Sequence, residues 1–161
     1  MEFLDIVNKK DEVIGVASKE NIYKRSFRHR IVHVLIFNDK NEMALQLRNK
    51  KVSYCPNHWS TAVGGHVQSK ESYKDAALRE YREELGLISE IEEFNKDYYE
   101  AENTPNKFLF TFKSVFNGPF RQDKEVVDRV DFFTIEKIKK MVNNGEKFHP
   151  ELLFLLNKYY F

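Results

Sequence analysis

Residues 65–87 read GHVQSKESYKDAALREYREELGL, and their reading decides the fold. Ser72 with Asp75 three positions on has the form of a capping box, and Gly86 followed by Leu87 has the form of a glycine C-cap, so a helix is predicted from about residue 73 to 85. Within it Glu80, Glu83 and Glu84 are spaced i, i+3 and i+4, which places three carboxylates on one face. Leu78, Tyr81 and Leu85 gather about a third of a turn away and supply an apolar side. Acids on a helix are ordinarily solvated surface, but three so close repel one another and weaken the helix. A hard divalent cation, Mg²⁺ or Mn²⁺, removes that conflict, and such ions keep places open for waters and phosphate oxygens.

Further signals lie on either side. Residues 3–7 and 13–17 flank the polar turn NKKDE as an N-terminal hairpin, and 31–37 and 43–47 flank NDKNE as a central one. A short strand over 60–67 leads to Gly64-Gly65, strands are predicted at 108–116 and 127–133, and helices at about 135–143 and 150–159. No repeat or flexible linker divides the 161 residues, so the expectation is one α+β domain over 1–161, an α/β/α sandwich with a mixed sheet between helices.

Composition narrows the function classes. With 26 Lys and Arg against 25 Asp and Glu, the chain offers no global field for nucleic acid or an acidic membrane surface, so a small partner is expected. The single cysteine, Cys55, excludes an intramolecular disulfide and suits a reducing compartment. The N-terminal stretch is unlike a signal peptide and no run is long enough to span a bilayer, so the expected location is the cytoplasm.

Gly65, Glu71, Arg79, Glu80, Glu83, Glu84 and Gly86, with bulky apolar Tyr81 and Leu87, fit the whole pattern G-x5-E-x7-R-E-U-x-E-E-x-G-U, where U is a bulky apolar residue. Seven fixed positions coincide by chance on the order of once in 10⁸ starting points. The stretch resembles the Nudix box. That resemblance implies a loop-helix-loop in which Glu80, Glu83 and Glu84 bind metal, the backbone near Gly64 or Gly65 contributing a carbonyl. Arg79 and Glu71 would support the acids, with Gly65 and Gly86 shaping the loops. It implies hydrolysis of a diphosphate linkage by water attack at phosphorus. The base would be one of the box glutamates or a later acid such as Glu125.

Outside the box, HRIVHVLIFN (29–38), LQLRNKK (45–51), PNHW (56–59) and FHPELL (148–153) are similar to the isopentenyl-diphosphate isomerase branch. In register with Trp59, that branch's catalytic cysteine falls at Gly64 and its metal-binding histidine at His66. Glycine cannot move a proton and Cys55 lies nine residues early, so a hydrolase on an isomerase-like scaffold is expected, with isomerase as the alternative. His29 also matches a metal position of the isomerase, but His29 and His33 are read as structural, while His66 stays open as a ligand. Arg28, Arg30, Arg48 and Lys51 are candidates for a diphosphate clamp. Tyr23, Tyr54, Trp59, Phe108 and Phe110 are candidates to stack on a base or line an apolar tail pocket. A non-catalytic nucleotide sensor is the competing class, and the N-terminal hairpin could supply a homodimer edge.

Overall fold

The computed structural model describes residues 1–86 and 88–161; Leu87, the last apolar position of the motif, lies outside them. The elements are β1 (Phe3–Val7), β2 (Val13–Ser18), α1 (Lys19–Lys24), β3 (His29–Phe37), β4 (Met43–Arg48), β5 (Trp59–Thr61), β6 (Val63–His66), α2 (Tyr73–Leu85), β7 (Glu92–Tyr99), β8 (Lys107–Val115), β9 (Val127–Phe133), α3 (Ile135–Asn143) and α4 (Pro150–Tyr159).

Two turns use the same chemistry. In NKKDE the Asn8 Oδ1 accepts from the N–H groups of Lys10 and Glu12, and in NDKNE Asn38 Oδ1 accepts from those of Lys40 and Glu42. Each is an asparagine side chain standing in for a turn of backbone, which is why both polar runs close hairpins. The N-terminal hairpin pairs as expected, but the central one holds register only at Phe37 and Met43. Beyond its turn β3 takes other partners. It runs parallel to β8 from His29–Lys107 to Phe37–Val115, and antiparallel to β6 from Ile31–His66 to Val34–Val63. Strand β4 pairs instead with β5 and β9, and β7 closes the far edge against β8.

Strand periodicity then separates two cores. Val32, Val34 and Ile36 pack with Ala76, Ala77, Tyr81 and Leu85 of α2. Leu35, with Met43 and Leu45 of β4, packs on Ile138 and Met141 of α3 and Leu152 and Leu156 of α4. The result is the expected mixed sheet between helical layers. The missed elements are α1, a six-residue helix capped by the Ser18 side chain, and β7, whose sequence EEFNKDYY lacks an apolar alternation.

The hairpin is fastened by Asp11 at its tip. Its carboxylate accepts from Arg30 Nε at 2.6 Å and Tyr73 Oη at 2.8 Å, and it pairs with Lys96. Burial pushes the Asp11 acid up, but Lys96, Arg30 and Tyr73 outweigh it and hold the group below the usual carboxylate range. Replacing Asp11 with Asn removes the charge that balances half-buried Arg30. Urea denaturation should show a loss of roughly 2 kcal/mol.

Candidate active site

Helix α2 delivers the acids as its caps dictate. Ser72 Oγ accepts from the Asp75 N–H at 3.0 Å, and Gly86 ends the helix in the left-handed region at φ 73°. A Cβ at Gly86 would also lie 2.5 Å from the Arg121 carbonyl oxygen, so that position demands glycine twice over. The three carboxylates do not share one environment. Glu83 is 57% exposed at the side chain, Glu80 14%, and Glu84 is packed in the buried face beside Tyr81 and Leu85.

Arg79 joins the acids through one guanidinium. Its Nε and Nη2 donate to the two oxygens of Glu71 at 2.7 and 2.9 Å. Nη1 reaches Glu80 at 2.7 Å and Glu83 at 3.2 Å, and Nη2 also donates to the His66 carbonyl at 3.0 Å. Hydrogen bonding to Glu71, then Glu80, raises the guanidinium far beyond its already high ordinary value, so it is a permanent cation. Glu80 in turn lies against Gly65, where any Cβ would overlap its carboxyl group and come 2.8 Å from its Cγ.

Glu84 is held by neutral donors. The Gly64 N–H donates to its Oε2 at 3.0 Å and Gln46 Nε2 to its Oε1 at 3.3 Å; the same Gln46 amide nitrogen reaches the Ala62 carbonyl at 3.0 Å. Burial and then the Glu80 charge push the Glu84 acid up to about 8. Burial also pushes Glu80 up to about 7, although Arg79 opposes it. Two adjacent carboxyls therefore lack the positive charge that would keep both ionised at neutral pH.

Both acids line a cavity of about 760 Å³ with Gly64, Gly65 and His66 on the same side. Beside Gly64 the same cavity is lined by a buried charged chain that sequence reading did not find as a unit. His33 Nδ1 meets Thr61 Oγ1 at 2.7 Å and His33 Nε2 meets Glu151 Oε1 at 2.8 Å. Lys107 Nζ donates to Glu151 Oε2 at 3.0 Å. Burial works against Glu151, but the His33 hydrogen bond and the Lys107 charge outweigh it and keep the carboxylate far below its usual range. Only FHPELL hinted at Glu151; Lys107 carries no motif and is placed by its register opposite His29.

The expected diphosphate clamp is not assembled. Arg48 lines the cavity and donates to the Tyr54 carbonyl at 3.0 Å, whereas Lys51 is exposed and is not part of the wall. Arg28 donates to Tyr98 Oη and Arg30 to Asp11, so both guanidiniums tie the N-terminal hairpin and β7 to the body. Glu125 is exposed in the loop before β9, outside the wall that neighbouring Val126 joins. His66 faces the cavity, but its Nε2 is engaged by Tyr23 Oη at 2.6 Å, and it stacks on buried His29 at 5.6 Å. Of the five aromatic candidates only Tyr23 and Tyr54 line the cavity; Trp59 is buried against Phe133 and Phe108 against Tyr98, while half-buried Phe110 packs on Phe112 and Tyr73.

The NUDIX domain family matches residues 27–155, which include every element from β3 through most of α4. The chain belongs to the Nudix family. Among its relatives are two uncharacterized Nudix hydrolases. YfcD of Escherichia coli strain K12 is 31% identical over 85% of this chain and 76% of its own length. Listeria monocytogenes lmo0368 is 30% identical over 98% of this chain and 93% of its own. The crystal structure of DR0079 from Deinococcus radiodurans superposes with a TM-score of 0.87 at 25% identity, over 99% of this chain and 100% of that one. The protein is thus a Nudix hydrolase, of a family that is generally metal-dependent and acts on small phosphorylated substrates. Among the described residues no helix is long and apolar enough to cross a membrane.

Proposed function

We propose that this Nudix hydrolase uses Mg²⁺ or Mn²⁺ to cleave the diphosphate linkage of a nucleoside diphosphate derivative or a related small diphosphate, by water attack at phosphorus. The observation that carries the reading is geometric: Glu80 and Glu84, one helical turn apart on α2, line one cavity wall, the first held by Arg79 and the second by the Gly64 N–H and Gln46. Among the described residues no three His, Cys, Asp or Glu side chains stand together as a ready cage, and the Arg79 Nη1 bridges Glu80 and Glu83. A two-carboxylate, all-oxygen donor set nonetheless fits a hard ion, which characteristically takes one or two carboxylates and leaves the remaining places to water and phosphate. Glu80 and Glu84 would hold it, with the backbone at Gly64 and with Glu83 once released from Arg79. When bound, the ion neutralises the transferring phosphoryl group and acidifies water.

The remaining roles belong to the chain. Arg79, braced by Glu71, fixes Glu80 at its distance from the β6 backbone, and Gln46 with the Gly64 N–H fixes Glu84. An ionised Glu84 in the wall is the group best placed to take a proton from the attacking water; exposed Glu125 would have to move to do so. Arg48, which lines the cavity, is a cation available to the substrate's phosphates. The absence of a thiol at Gly64 favours hydrolysis over isomerisation, and Cys55 offers no substitute: it is half-buried outside the wall, and its thiol is pushed up by burial.

The test is release of phosphate or nucleotide from a panel of nucleoside triphosphates, dinucleotide and sugar-nucleotide diphosphates and isopentenyl diphosphate, with Mg²⁺, with Mn²⁺ and with chelator. Metal-dependent cleavage of one class supports the reading. Binding without turnover would make the domain a sensor, and isomerised isopentenyl diphosphate would overturn the role given to Gly64. A sharper check is Gly65→Ala, whose methyl group occupies the Glu80 carboxyl position. It should weaken Mn²⁺ binding and lower kcat/KM by at least about tenfold, roughly 1.4 kcal/mol, with little change in helix content.

A further inference from the structure

Next to the Gly64 backbone that holds Glu84, the cavity wall carries buried charges that a well-packed core could do without. Replacing a buried ion pair with apolar side chains of similar size is often neutral or stabilising, yet here Lys107, Glu151 and His33 are all buried in one chain. Its charges are nearly balanced: the Glu151 carboxylate gives one oxygen to His33 and the other to Lys107. The Lys107 ammonium is not saturated. It has three protons, and among the described residues Glu151 is its only hydrogen-bond partner. Its Nζ lies 5.8 Å from the Tyr23 ring centroid and 5.9 Å from that of Tyr99, and both tyrosines line the cavity with Lys107.

A second phosphate would gain little here, because Glu151 already cancels the Lys107 charge. A neutral acceptor on a flat ring gains more: the ammonium has donors to offer, and the tyrosine rings offer faces and edges. Resting on the diphosphate hydrolase reading, we infer that this wall is the base subsite, in which Lys107 donates to a ring carbonyl, so that nucleotides of uracil, cytosine and guanine are preferred over those of adenine. Adenine has no carbonyl and carries an amino group, a donor, at a position where guanine has its oxygen. Adenine's own acceptors are ring nitrogens at other positions, so it meets the ammonium only by turning in the pocket, and a site that donates at a fixed point discriminates against a base that presents a donor there.

The experiment is calorimetric binding of UMP, CMP, GMP and AMP to the full chain in chelator, beside hydrolysis of the matching diphosphate derivatives with Mn²⁺. The carbonyl-bearing nucleotides should bind at least about tenfold more tightly than AMP. Lys107→Met combined with Glu151→Gln removes both charges together and leaves an acceptor for His33. This double variant should bring the four affinities within about twofold, while Mn²⁺ affinity and circular dichroism stay unchanged. Equal wild-type affinity for AMP, no binding of any nucleotide, or discrimination that survives in the folded double variant overturns the inference. Discrimination without hydrolysis would sink the hydrolase reading and leave the subsite standing; hydrolysis without discrimination would do the reverse.

Discussion

Glu84→Gln should abolish hydrolysis, lowering kcat by at least about 10³-fold, or roughly 4 kcal/mol of transition-state stabilisation, in a protein that is folded and still binds nucleotide. The substitution keeps the shape and one oxygen, so the Gly64 N–H retains an acceptor. What it removes is the negative charge that attracts the ion and a buried proton acceptor in the cavity wall. Glu83→Gln should cost less, because Glu83 is mostly exposed and contacts only the edge of Arg79. Glu80→Gln should fall between, since Arg79 would lose one charge partner and keep the two-pronged contact with Glu71. Single-turnover rates with saturating Mn²⁺, set beside Mn²⁺ affinities, separate lost metal from lost chemistry. An order in which Glu83→Gln was the most damaging would overturn the assignment of Glu84.

That ordering could not have been read from the sequence, although the motif could. Spacing placed Glu80, Glu83 and Glu84 near one another, and Ser72 and Gly86 bounded their helix to within a residue. These are local signals, and local geometry decided them. Which glutamate enters the core depends on where α2 lies on β3 and β6, a tertiary fact that the helical repeat does not contain. The same limit explains the clamp. Arg28, Arg30, Arg48 and Lys51 are equally basic as letters, but only Arg48 lies on a strand end that opens into the cavity, while Arg30 meets Asp11 across the hairpin. The central hairpin was half legible, because its turn is encoded by Asn38 whereas the partners of β3 lie 29 to 35 positions away in β6 and 78 away in β8. The chain of His33, Glu151 and Lys107 was the least legible. Its members are separated by 118 and 44 positions, and each residue alone reads as an ordinary strand or helix residue.

In chelator, the melting temperature should peak at about pH 6–7 and fall on both sides, and a divalent ion should remove the alkaline fall alone. On the alkaline side the responsible groups are Glu84 and Glu80, which burial pushes up to about 8 and about 7 from an ordinary 4.5. Between those limits the folded chain holds protons that the unfolded chain has released, so the slope of stability with pH is negative. From about pH 6.5 to 8 the loss should reach about 2 kcal/mol, at 1.36 kcal/mol per unit of difference. On the acid side the sign reverses. Burial holds His29 and His149 down at about 4 and His66 at about 3, so below about pH 6.5 the unfolded chain takes up protons that the folded chain refuses. Glu151, held far below the carboxylate range, adds to the acid loss at still lower pH. An ion held by Glu80 and Glu84 would favour their ionised forms and so cancel the alkaline limb, leaving the imidazole limb untouched. Glu84→Gln should flatten most of that limb without any metal, because an amide has no proton to lose. Melting curves from pH 4 to 9 on wild-type and Glu84→Gln protein, with chelator and with Mn²⁺, decide it. An alkaline fall that survived both the substitution and the ion would show that the strain of the carboxylate pair lies elsewhere than in α2.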